Sequence, residues 1–370
     1  MTQYRLLTLI AALLPACTGG DGGSNDDIED PGLAVLGGNT HSADGVEIEE
    51  IATSEDGLDR PMDVAFHPDH PAQLWIVNQG GPSVTVVDEV GTEDRDSWVA
   101  SGDCTEHFMA EPSALAFGTD GFLATSHETD VSTPCTGDGP GDFMGPTLWI
   151  ADPDEFNADW ASHYDMLHNS PDAVGIAWEE ANVYWVFDGY NQALTRYDFE
   201  GDHGGGGEDH SDAVVRRYVE GEVGYVAGVA SHLVFDADLS LLYAADAGNG
   251  RVAVLDPATG EEGGRINPNY DGSDQREVED ADLRTFVDGA EHGLERPAGI
   301  ALANGAIYVV DNASGRIAAF DLDGQVIDWL DPGLGEGTLM GIAVDAEGSL
   351  YVADADGDRV LRISAKAGQP

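Results

Sequence analysis

Pro297-Ala298-Gly299-Ile300-Ala301, Ile307-Tyr308-Val309-Val310-Asp311 and Gly315-Arg316-Ile317-Ala318-Ala319-Phe320-Asp321 are the phrases whose recurrence decides the fold. Before them, Pro61–Phe66 with Leu74–Asn78 and Val84–Asp88 forms a first copy, and Pro112–Phe117 with Phe122–Thr125 and Thr147–Asp152 a second. Val174–Ala177 with Val183–Asp188 and Leu194–Asp198 makes a third, and Ser231–Phe235 with Leu242–Asp246 and Arg251–Asp256 a fourth. After the opening phrases, which are the fifth copy, Gly341–Val344 with Leu350–Asp354 and Arg359–Ile363 makes the sixth. Each run is short, β-branched or aromatic, and bounded by Gly, Asp or Asn, as strands and tight turns require. The innermost run is small and apolar, which suits strands converging on an axis. One such unit cannot bury both faces of its sheet, so copies must stack. The reading is an all-β, six-bladed β-propeller.

After Ile363 only Ser364–Pro370 remain, too few residues for a fourth strand. Before the first copy, Val46-Glu47-Ile48-Glu49-Glu50-Ile51 alternates like a strand without a blade of its own. Lending it to the last blade closes the ring and hides its edges. The propeller is therefore expected over residues 46–366.

The Pro-x-Gly-Ile-Ala, Tyr-Val-x-Asp, Arg-Ile-x-x-Phe pattern resembles the NHL repeat family over roughly residues 45–366. That resemblance implies the fold and little about function, because the family includes lyases, lactonase relatives, receptors and binding scaffolds. Copies two to four depart from the pattern through longer loops and added histidines.

Residues 1–17 read as an export signal: Arg5, the apolar run Leu6–Leu14, then Pro15-Ala16-Cys17. The run is too short to span a bilayer. Leu14-Pro15-Ala16-Cys17 resembles a bacterial lipobox, which implies lipidation at Cys17 and a membrane partner through that anchor alone; an ordinary cleaved signal with a chance cysteine is the plainer alternative. Thr18–Gly45, rich in Gly, Asp, Asn and Ser, reads as a flexible tether. In an exported chain, Cys104 and Cys135 are expected to form a disulfide on one face.

The chain carries 15 basic against 70 acidic residues, a net charge of −55, with Lys366 the single lysine. Nucleic acid is excluded as a partner, since both would be polyanions. Such a surface resembles adaptation to high salt, where screening relieves self-repulsion; calcium binding is the other reading. Asp354-Ala355-Asp356-Gly357-Asp358 imitates the start of an EF-hand loop but has no glutamate at its end, so a strand-connecting turn is expected.

Histidines carry the remaining signal. His107, His168 and His292 precede inner strands, which places them on one face. His232 occupies the inner-strand position held elsewhere by Asp63, Ala114, Gly175, Gly299 and Gly341, and His127 ends a second strand. Imidazoles converging on an acidic channel could hold zinc or another transition metal, with His107, His168 and His232 the leading trio and His127 in reserve. Independent hydrogen-bonded histidines are the bland alternative. Arg60 and Arg296, on the same face, could hold a substrate carboxylate or merely balance nearby acids. Asp202–Asp212, with His203, His210 and four consecutive glycines, could wrap an ion at the opposite face or outer rim, although a solvated acidic loop is the more ordinary reading. No Walker-type phosphate loop or Gly-x-Ser-x-Gly elbow is present.

The peptidyl-hydroxyglycine lyase of peptide amidation shares this general plan, a six-bladed propeller with a histidine-bound zinc in its channel, and implies a metal-dependent enzyme as one possibility. No residue of that enzyme is carried over. The leading expectation is an exported, monomeric binding module for an extracytoplasmic protein or small molecule. A metal-dependent lyase or hydrolase is the alternative.

Overall fold

A computed structural model describes residues 32–101, 108–129, 144–152, 154–156, 162–207 and 209–368. It opens with β1 (Val46–Ala52). Blade one is β2 (Pro61–Phe66), β3 (Leu74–Asn78), β4 (Ser83–Asp88) and β5 (Asp96–Ala100); blade two is β6 (Pro112–Phe117), β7 (Phe122–His127), β8 (Met144–Ile150) and β9 (His163–His168). Blade three contains β10 (Ala173–Glu180), β11 (Val183–Asp188), β12 (Ala193–Asp198) and β13 (Val214–Tyr218). Blade four is β14 (Leu233–Asp236), β15 (Leu241–Asp246), β16 (Arg251–Asp256) and β19 (Asp282–Asp288); between β16 and β19 the chain makes a hairpin, β17 (Glu261–Arg265) and β18 (Asp274–Glu279), that joins the sheet of blade three. β20 (Pro297–Ala303), β21 (Ala306–Asp311), β22 (Arg316–Asp321) and β23 (Val326–Leu330) make blade five; β24 (Leu339–Val344), β25 (Leu350–Asp354) and β26 (Arg359–Ala365) belong to blade six.

Inner strands β2, β6, β10, β14, β20 and β24 pack each on the next, and β24 returns to β2. The ring is closed as the sequence requires: β1 pairs antiparallel with β26, Ile48 opposite Ile363. Strands β11, β21 and β25 are buried along their whole length, since blades cover both of their faces. Trp75, Trp149 and Trp185 fill the spaces between neighbouring blades of the first half and are fully buried. Each such burial contributes about 1.5–3 kcal/mol or more.

Inner strands tolerate little at their narrowest radius. A Cβ on Gly299 would overlap the Met340 carbonyl of the next blade, and one on Gly341 would lie 2.7 Å from the Asp63 Cα. That close approach explains why glycine recurs there.

Two features differ from the sequence expectation. Blade three has six strands, because β18 pairs parallel with its outer strand β13, Val214 opposite Asp274. The hairpin thus covers an edge that blade three would otherwise expose. Gly32–Gly45, expected to belong to a free tether, instead forms three short 3-10 turns. Leu36 is fully buried, the Leu33 N–H donates to Asp328 at 2.7 Å, and the His41 ring stacks on Trp329. Leu33, Val35 and Leu36 supply the apolar anchors that a polar composition average conceals.

The aspartates ending second strands are structural. Asp188, Asp246, Asp311 and Asp354 are buried, and each accepts backbone N–H groups of nearby turns: Asn191, Gly224, Arg296 and Gly357. The Asp354 carboxylate also takes the Arg359 Nε–H, and Asp358 takes the Arg60 N–H. The EF-hand-like run is therefore a turn between β25 and β26, as its missing glutamate implied.

Burial pushes the Asp188 carboxyl up to about 6, opposed by Arg217 and by donors from Asn191 and Ser170. The native state then keeps a proton that the unfolded chain releases above its ordinary value of 3.8. Its stabilising contribution is complete below that value and is lost as pH rises through about 6. Urea unfolding across pH 4–6.5 should show wild type losing about 2 kcal/mol relative to Asp188→Asn. Parallel curves for the two proteins would refute this.

Candidate functional site: the central channel and its mouths

The inner strands enclose a cavity of about 200 Å³ along the axis, with residues from all six blades in its wall. Ile176, Ile300 and Ile342 line it, and Phe117, Trp178 and Phe235, partly exposed, form its open end. At its base lie two ionisable side chains. His232, from blade four, places Nδ1 3.3 Å from Asp63 Oδ1 of blade one, directly across the ring. Its Nε2–H donates to the Ser113 carbonyl of blade two at 3.2 Å. Asp63 also accepts the Val64 and Leu115 N–H groups, at 2.8 and 3.1 Å. Burial pushes the Asp63 carboxyl up, while His232 and the two N–H groups pull against it. The imidazole does turn to the axis, and there it finds a carboxylate.

The other mouth is covered. Residues 223–230, between β13 and β14, reach across to blades one and two. The Tyr225 hydroxyl donates to Glu128 at 2.8 Å and the Gly228 N–H at 2.5 Å, while Arg60 donates to the Gly228 carbonyl at 2.8 Å. Gln79 joins Arg60 to Glu128, accepting from the first at 2.8 Å and donating to the second at 2.6 Å. Val229 and Ala230 are buried beneath this strap. Among the described residues, the channel is thus a pocket with one accessible end.

Other expected site residues lie elsewhere. His168 closes β9, the outermost strand of its blade; its Nδ1 is 2.5 Å from Asp271, in the β17–β18 loop. Entering an inner strand in sequence did not bring it to the inner radius. His127 is the counterpart of Asp188 and Asp246: its Nδ1–H donates to the Gly145 carbonyl at 3.1 Å, and its Nε2 takes the Thr125 hydroxyl at 3.0 Å. His127, His168 and His232 thus engage separate partners; among the described residues, the one set of three metal-ligating groups within 4.8 Å of one another is Asp165, His203 and Asp212. Arg60 belongs to the strap's anchorage, whereas Arg296 donates to Asn312 at 3.1 Å. Cys17, Cys104, His107 and Cys135 lie outside the described residues. No helix among the described residues is long and apolar enough to cross a membrane.

Sequence reading missed Asp63, Glu128 and Tyr225. An aspartate where glycine is the rule was the available signal for the first. For the others none existed, since Glu128 and Tyr225 meet only when blades two and four share a ring.

A second cavity of about 550 Å³ lies between blades three and four, with Phe235 in both walls. Glu180 and Tyr218 line it beside Arg196, whose guanidinium holds Glu179 in a two-point bond at 2.7 and 3.1 Å. Its volume is that of an ordinary small-molecule site.

No protein-family model matches the chain, and no curated protein matches it. Solved structures share its fold. An auxiliary nutrient binding protein from Bacteroides ovatus is 14% identical, with 86% of this chain and 76% of that chain covered and a TM-score of 0.55. A second auxiliary nutrient binding protein, from Bacteroides thetaiotaomicron, is 10% identical, with 83% and 69% covered and a TM-score of 0.55. A luciferin-regenerating enzyme is 14% identical over 87% and 96%, with a TM-score of 0.52. A binding protein and an enzyme on one scaffold show that the likeness defines the propeller and leaves its use to the site.

Proposed function

We propose that this chain is an extracytoplasmic binding propeller, exported on residues 1–17 and held to a membrane through Cys17. Its ligand is a small organic molecule that docks at the open channel mouth. The carrying observation is the cavity itself: walls from six strands, an aromatic rim of Phe117, Trp178 and Phe235, and two polar side chains, Asp63 and His232, at its base. A concavity lined by aromatic and aliphatic side chains with a few convergent polar groups is the usual form of a small-molecule site. The channel admits a compact group, and the larger cavity across Phe235 has room for the remainder. Structural likeness to auxiliary nutrient binding proteins agrees with this reading.

A metal-dependent lyase or hydrolase, with zinc, another transition metal or calcium at the channel mouth, is the second reading. It has less support, because His232 is the one histidine lining the cavity among the described residues, and its ring nitrogens face Asp63 and Ser113.

Trp178 offers the test. Sugars, amino acids and small aromatic acids titrated into the protein should include compounds that shift the Trp178 indole resonance saturably. Trp178→Ala should weaken their binding at least about tenfold, the loss of one aromatic contact. Absence of any saturable shift at Trp178 across the panel would overturn the reading.

A further inference from the structure

We propose that Asp165, His203 and Asp212 bind one divalent transition-metal ion, zinc being the best match, where the outer edge of blade two meets the glycine-rich loop of blade three. The site is separate from the channel and does not depend on the binding reading above.

Its geometry begins with the loop. Residues 199–207 and 209–213, between β12 and β13, lie along β9: the His203 N–H donates to the Tyr164 carbonyl at 3.3 Å, and the Gly206 N–H to the His163 carbonyl at 2.8 Å. The His163 Nε2–H returns a bond to the Gly207 carbonyl at 3.1 Å. Gly204 and Gly206 have φ of +73° and +74°, and a Cβ on Gly207 would come within 2.6 Å of the His203 Cβ. The glycines therefore let the loop fold back on itself and present His203 and Asp212 to β9.

Beneath the loop lies Asp165, fully buried. Its Oδ1 is satisfied by the Met166 N–H at 2.7 Å and by His210 Nδ1 at 2.5 Å. Its Oδ2 is buried and accepts no hydrogen bond. A carboxylate oxygen in that condition is costly unless a cation completes it. The nearest candidate atom is His203 Nε2 at 3.6 Å, and that nitrogen is 3.1 Å from Asp212 Oδ1. All three ligand atoms lie within 4.8 Å of one another. Ligands around a tetrahedral zinc, with bonds of about 2.0–2.1 Å, stand about 3.3 Å apart, close to the two distances from His203 to the carboxylates. His210 acts from behind, fixing the Asp165 carboxylate by its other oxygen, as outer partners of metal ligands do.

The donor set selects the ion class. One imidazole nitrogen and two carboxylates suit zinc, manganese or cobalt, whereas calcium requires six to eight oxygens. Asp212 is exposed, which leaves a fourth position to water. The bound ion would tie blade three's loop to the edge strand of blade two.

Zinc titration of the chelator-treated full-length protein, in high salt to suppress diffuse binding to the acidic surface, tests the site. Wild type should take up one equivalent that His203→Ala and Asp212→Ala each weaken at least about tenfold. Cobalt should give tetrahedral absorption bands in wild type that His203→Ala abolishes, and excess calcium should displace neither ion. Both substituted residues are solvent-accessible, so thermal melts of the metal-free variants should match wild type. Uptake that is absent, or that is unchanged in both variants, would overturn the proposal.

Discussion

Replacing Asp63 with alanine is expected to lower the unfolding free energy by about 3 kcal/mol, the cost of leaving its buried polar partners unsatisfied. His232 would remain at the channel base, facing Ser113 but no carboxylate, and the Leu115 N–H would lose its acceptor. Chemical denaturation with matched slopes measures the loss. Asp63→Asn, which keeps an acceptor oxygen and the side-chain volume, should cost markedly less. Because the two residues come from opposite blades, the double variant Asp63→Ala with His232→Ala should cost less than the sum of the single changes. Additive losses would mean that the pair is not coupled across the axis.

Deleting the chain up to Thr53 should have the larger effect. It removes β1, which supplies the fourth strand of blade six and buries Val46, Ile51 and Ala52, together with Leu36 in the preceding turn. At about 1.5–3 kcal/mol for each large apolar side chain, the loss is on the order of 5 kcal/mol before any ladder bonds are counted. That is a large share of the stability of an ordinary domain. β26 would also become an open edge with unpaired backbone N–H and C=O groups. The truncated protein is expected to unfold at far lower denaturant and to self-associate, both visible in light scattering alongside denaturation. A monomer as stable as the parent would show that β1 does not close the ring.

Strand identity, blade number and the closing strand were legible because they are local. Runs such as Ile307–Asp311 carry their own strand preference, and the count of copies requires a donor for the last blade. Asp311 and its counterparts were visible as punctuation, and the turns they bond explain their recurrence. Less was legible where radius or packing decides. His168 and His232 both stand near inner-strand starts in the chain, yet the first meets Asp271 at the blade edge and the second meets Asp63 on the axis. Sequence position locates a loop on a face; it does not give distance from the axis.

By itself, the sequence determined an all-β ring of six blades, its closure by residues 46–51, and the turn between β25 and β26. Those properties follow from strand propensity, turn chemistry and the need to bury both faces of each sheet. The tertiary structure alone decided which polar groups meet: Asp63 with His232, Glu128 with Tyr225, Asp165 with His203 and His210. It also decided that β18 would extend blade three and that Gly32–Gly45 would dock on the ring. Each of these contacts joins segments that only ring closure or a folded-back loop brings together, and their partners carry no shared local pattern. Periodicity reports what a strand buries, whereas a site depends on which strands become neighbours.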